Sequence, residues 1–154
     1  MKKWASFNKQ SSGFTIVELL IVIVVIGILA AITIVSFNGV TTRARDSSRS
    51  SDISAVQKAL ELYKAENNDI YPSVGSDNAG YALNSLSTAL VPKYIAKIPV
   101  DPKESSGGAG YSYVRGATGT AYAIRMNYEA KTNCHVGVGV RSSGWWALPA
   151  CESL

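Results

Sequence analysis

Residues 13–40 read GFTIVELLIVIVVIGILAAITIVSFNGV, and Glu18 is the only charge among them. Residues 19–42 carry no charge at all, and residues 19–35 are apolar apart from Thr33. Those 17 residues stand at the lower edge of the length that crosses a bilayer core as a helix. An ordinary secretory signal places a small-residue cleavage site after its apolar stretch, and this stretch is too long and too free of charge for that reading. The small residue that matters, Gly13, lies before it.

The segments on either side give the run its direction. Residues 1–13 are polar and basic, with Lys2, Lys3 and Lys9 holding that end on the cytoplasmic side. These three residues also account for most of the formal charge of +4, since twelve basic residues then face eleven acidic ones. No basic patch with interleaved aromatics is present, so nucleic acid is not an expected partner. Beyond the run, residues 41–52 are polar. Arg43, Arg45 and Arg49 there read as a solvated helix face near the membrane, or as contacts to anionic headgroups.

Residues 53–66 carry an amphipathic pattern. Ile53, Val56, Leu60 and Tyr63 recur at helical spacing, widened by Ala55, Ala59 and Leu62. Asn67, Asn68 and Asp69 end it, with Pro72 following. A helix from Phe14 to about Asn67 spans about 80 Å at 1.5 Å per residue, so its first half must find a membrane or other helices. Residues 83–91 read as a short helix stopped by Pro92. Residues 111–115 and 120–128 alternate like strands joined by a turn at 116–119. Residues 134–140 form a third strand, with Val136, Val138 and Val140 on one face and Gly137 and Gly139 under close packing on the other. The expected fold is α+β: a long N-terminal helix laid on a small antiparallel sheet. The expected divisions are a basic leader at 1–13, an apolar helix for a membrane or for other helices at 14–42, an amphipathic half at 43–67, and a sheet region at 68–154.

Gly13-Phe14-Thr15-Ile16-Val17-Glu18 followed by an uncharged helix resembles the class III signal of type IV pilins and type II secretion pseudopilins. The resemblance implies that a membrane-bound prepilin peptidase cuts between Gly13 and Phe14 and methylates the new amine, making Phe14 N-methylphenylalanine. Gly13 suits the cut because it lets a protease approach the backbone. The resemblance further implies no catalytic activity and no cofactor. It implies a single-pass precursor in the inner membrane, and then a helical homopolymer of identical subunits, built by an assembly platform and its ATPase and displayed at the cell surface. Glu18 and the amine of Phe14 are the expected assembly pair. A charge and a cation stranded among apolar helices neutralise each other, and only one axial offset pairs them. Snorkelling of Glu18 to the headgroups is the plainer alternative.

The leading functional reading is a major pilin. The alternative is a pseudopilin of a secretion or DNA-uptake machine. A single-pass membrane protein with a small binding domain and a secreted enzyme stand further off, because neither needs an acid in its apolar run. Residues 94–102 with 111–113 look like major pseudopilins of type II secretion. That resemblance brings Asp77, Asp101 and Glu104 forward as weak calcium candidates, although no spacing matches a known calcium loop and no metal is the expectation. Many pilins carry a proline within the apolar segment; this chain has none, and Gly27, Thr33 and Gly39 are its only weak points.

Cys134 and Cys151 are the only cysteines. An exported C-terminal region and an even count both favour a bridge over two free buried thiols. His135, the only histidine, cannot build a zinc site alone. Trp145 and Trp146 read as anchors of the last loop or as an exposed tip. Tyr111, Tyr113 and Tyr122 sit at strand spacing and read as sheet pairs.

Overall fold

The computed structural model describes residues 13–104, 110–139 and 149–151, apart from the side chains of residues 34–36 and 38. Residues 1–12 of the basic leader, the tryptophan pair and Val140 lie outside the described residues. The chain divides into two units, Met1–Gly39 and Val40–Leu154.

Helix α1 runs over Ile16–Glu66. It starts where Thr15 and Glu18 cap each other and ends in residues suited to a helix stop. Asn68 and Asp69 take positive φ values of 55° and 60°, and the Asp69 N–H donates to the Lys64 carbonyl at 3.1 Å. Asn and Asp enter this left-handed region more easily than most residues. In the first unit, the apolar side chains of α1 are exposed all along the described part. Val25, at 48%, is the least exposed of the large ones, and no residue of Ile16–Thr33 is buried. Thr33 is satisfied inside the helix, donating to the Leu29 and Ala30 carbonyls at 2.9 and 3.0 Å. A hydroxyl bonded this way needs no water and is tolerated in an apolar environment.

The second unit holds the rest of α1 and a four-stranded antiparallel sheet in chain order. The strands are β1 (Tyr81–Ala82), β2 (Ser112–Arg115), β3 (Tyr122–Met126) and β4 (Cys134–Val138). Strand β1 is only two residues long and had no sequence signal. A 3-10 turn over Leu83–Leu86 runs into the short helix α2 (Ser87–Leu90), which buries Leu83, Leu86 and Leu90.

Ile53, Val56, Ala59 and Leu60 of α1 pack in one cluster with Tyr113, Ile124 and Met126 of the sheet and with the three leucines. Alternation along β2 and β3 sends Tyr113 and Ile124, which are register partners, into this core. Val114 and Ala123, also partners, form a small cluster of their own. Tyr63 is half-buried and meets Tyr94 edge to face at 5.5 Å. Two expected members of the stripe are not in it: Ala55 is exposed and Leu62 is 57% exposed. They fall one residue off the period that the sheet covers.

Close packing is found at Gly137 of β4. A Cβ on Gly137 would lie 2.0 Å from the Tyr122 carbonyl oxygen and 2.7 Å from the Ala123 Cα. The crowding at Gly137 comes from the backbone of the adjacent strand β3. Gly139 is needed for another reason: its φ of +72° is left-handed.

Candidate functional site

At the start of α1, three hydrogen bonds tie Thr15 to Glu18. The Thr15 N–H and hydroxyl both donate to Glu18 Oε2, at 2.8 and 2.7 Å, and the Glu18 N–H donates to the Thr15 hydroxyl at 3.2 Å. This is a reciprocal capping box. It satisfies helix-end donors that hydrocarbon could not, and it sets an acid at the positive end of the helix dipole. Phe14 is 91% exposed, and the space around Gly13 is open. Gly13, Phe14 and Glu18 therefore stand together at an accessible helix start. Thr15 is the member that sequence reading passed over. Its signal was the Thr-x-x-Glu spacing.

A second cluster lies where α1 meets the loops of the sheet unit, and it corrects the reading of the arginines. Arg49 is 1% exposed. Its Nε and Nη2 donate to the two Asp101 oxygens at 2.7 and 3.1 Å. Its Nη1 donates to Asp46 at 2.6 Å, and Nη2 also reaches Glu129 at 2.8 Å. Arg45 holds Glu129 with a fork of 2.8 and 2.6 Å, and Lys103 adds a contact at 2.8 Å. Asp46 also accepts the backbone N–H groups of Glu129 and Ala130. Three cations thus meet three carboxylates, as burial requires. Arg45, Lys103 and Arg49 hold the Glu129 carboxyl well below the usual carboxylate range, and the bond to Asp101 leads in raising Arg49 further. Of the three arginines, Arg43 alone stays exposed without a bond to the described residues.

The calcium candidates are not brought together. Asp101 is engaged by Arg49, Asp77 accepts from Arg115 at 2.7 Å, and Glu104 is exposed. Among the described residues, no group of three or more His, Cys, Asp or Glu is arranged to hold a metal ion. Cys134 and Cys151 form a disulfide with Cα atoms 5.0 Å apart. It fastens residues 149–151 beside β4, where the His135 N–H donates to the Pro149 carbonyl and the Cys151 N–H to the His135 carbonyl. Tyr111, Tyr113 and Tyr122 are core residues. Tyr111 donates to Asp52 of α1 at 3.0 Å, and Tyr122 meets Tyr71 edge to face at 4.5 Å.

Residues 8–34 match the model of the prokaryotic N-terminal methylation motif, which covers the helix start described above. The chain is 34% identical over 101 residues to the type II secretion system core protein G of Aeromonas hydrophila, covering 62% of this chain and 69% of that protein. It is 28% identical over 144 residues to the protein of the same name from Vibrio cholerae, covering 89% and 93%. A fimbrial protein of Pseudomonas aeruginosa is 34% identical over 83 residues, 54% of each chain. No solved structure matches the chain significantly. The secretion proteins align over more of the chain than the fimbrial one, which favours the alternative reading over that of a major pilin. By its capped, accessible helix start, its helix-on-sheet fold and these relatives, the chain belongs to the family of type IV pilins and type II secretion pseudopilins.

Proposed function

We propose that the chain is a structural subunit of the pseudopilin kind, acting in a type II secretion or related machine and not as the main subunit of a surface pilus. The observation that carries this is the alignment with core protein G, which extends far past the signal into the sheet unit. A methylation motif alone would fit any member of the family.

In this reading, the precursor sits in the inner membrane through α1, with residues 14–42 as the membrane and later filament-core segment. Prepilin peptidase removes residues 1–13 and methylates Phe14. Subunits then leave the bilayer into a short helical polymer driven by an assembly platform and its ATPase. The exposed apolar surface of α1 supports this, because side chains so uncovered require lipid or other helices. Glu18 is the assembly residue. Its carboxylate lies one turn from the amine that cleavage creates, and the Thr15 bonds keep it folded toward that end. A second subunit's amine competes with the Thr15 donors for the same carboxylate, so register is chosen by charge while the apolar faces supply adhesion.

Deleting the chain's gene decides between the two family readings. Loss of protein secretion with surface filaments intact is the expected result. Loss of sheared surface filaments made mainly of this chain, with secretion normal, would restore the pilin reading.

A further inference from the structure

Two cations line one cavity without an ion pair to the described residues. The cavity, of about 670 Å³, lies within the Val40–Leu154 unit, bounded by α1, the β3–β4 connection and the bridged cysteines. Arg43 makes no hydrogen bond or ion pair with the described residues. Lys131 has its ammonium 5.7 Å from the centre of the Tyr128 ring and no carboxylate partner among them. Among the described residues, Asp46 is the one acid lining the cavity, and it is already engaged. Its Oδ1 accepts from Arg49 and the Glu129 N–H, and its Oδ2 accepts from the Ala130 N–H. The hydroxyls of Ser47 and Thr132 remain as donors without partners among the described residues. Two unbalanced cations beside two hydroxyl donors suit an anion with several oxygens, such as a phosphate ester.

The position of Arg43 in the chain indicates where that phosphate comes from. It is the first charged residue after Glu18, 25 residues further along the same helix. Residues 19–42 between them carry no charge and are long enough to cross a bilayer core, so Arg43 is the first side chain beyond them that can meet a phosphate by charge. Among the described residues, no carboxylate lining the cavity is left to receive a choline or ammonium group, so a lipid of net negative charge fits better than a zwitterionic one. We propose that this cavity holds the phosphate of an anionic phospholipid while the subunit is in the membrane. The proposal rests on the membrane-anchored reading above.

The test uses the full chain in nanodiscs with equal amounts of phosphatidylcholine and phosphatidylglycerol, released in a mass spectrometer so that retained lipids are counted. The wild-type chain retains phosphatidylglycerol in preference. Arg43→Gln and Lys131→Gln each lower that retention about fivefold, the effect of one cation near a charged surface, while the circular dichroism stays unchanged. Equal retention of both lipids by the wild-type chain, or undiminished retention by the double variant, overturns the proposal. A parallel titration with inorganic phosphate in neutral detergent follows the amide signals of residues 130–132. Shifts with phosphate but no lipid selection would make a free anion the ligand and overturn the headgroup assignment. A chain that fails to co-elute with nanodiscs sinks the membrane reading itself, and that result is read before any lipid is counted.

Discussion

Arg49 carries the clearest consequence of a single side chain. A guanidinium that is 1% exposed and bonded to three carboxylates cannot be removed without leaving those charges uncompensated. Arg49→Met is expected to destabilise the sheet unit by about 3–5 kcal/mol, measured by urea unfolding in mild detergent. Adding Asp101→Leu should recover part of the loss, because the second change removes a stranded charge. The same cluster sets an acid limit. Glu129 has its folded-state pKa lowered from an ordinary 4.5, chiefly by the bond from Arg45. Its contribution is therefore fully present above the unfolded value and is lost as pH falls below about 4.5 toward the folded one. Unfolding free energy should be level near neutrality and decline in acid, and Glu129→Gln should flatten that part of the decline. An equal acid decline in the Gln variant would remove the role assigned to Glu129.

At the level of elements, α1 presents one narrow face to the sheet. Ile53 and Leu60 are wholly buried, whereas Leu62 is 57% exposed. Ile53→Ala or Leu60→Ala should cost about 2–5 kcal/mol, and Leu62→Ser should stay within about 0.5 kcal/mol. The contrast checks the face independently of helix propensity. Strand β4 depends on an absent side chain. Gly137→Ala would drive a Cβ against the carbonyl of the neighbouring strand, and no rotamer can relieve a backbone clash. We expect a loss of about 3 kcal/mol, the upper part of the usual overpacking range. A variant with unchanged stability would mean that β3 and β4 separate freely at that point. At the other end of α1, Glu18→Ala should leave cleavage and membrane insertion intact while polymer yield falls sharply. Thr15→Val should lower yield less, since it removes one donor to Glu18 and leaves the acid. Normal polymer from the Glu18 variant would show that no charge pair directs assembly.

For the molecule as a whole, processing and cross-linking are the accessible tests. The mature chain should begin at Phe14 with a methylated amine, as read by intact mass. A start inside residues 28–34 would indicate an ordinary signal peptide. A bulky residue in place of Gly13 should leave full-length precursor in the membrane. The disulfide spans 17 residues and ties residues 149–151 to β4. A loop of that size contributes about 3 kcal/mol if the entropic account holds. Alkylation of exported protein without reductant should modify neither cysteine, and reduction should lower the melting temperature by several degrees.

Much of this was legible in the chain as written. The length and chargelessness of residues 19–35 determine a helix whose apolar side chains must be covered by lipid or by other helices, because its backbone is satisfied within itself, and the glycine at 13 and the acid at 18 carry the match to the methylation motif. Helical spacing from Ile53 to Leu60 and alternation at 111–128 determine helix and strands, since both follow from local backbone geometry. The buried stripe also continues backward through Arg49 and Asp46 at the same spacing, but a pattern that counts only apolar residues passes over charged members. Whether an arginine on that face meets solvent, lipid or carboxylates depends on Asp101 and Glu129, 52 and 80 residues away. Strand β1 is two residues long and exists through pairing with β2, and the demand for glycine at 137 comes from the backbone of β3. These are long-range contacts. Only the tertiary structure decides them, because no local propensity encodes which loop a charge will meet.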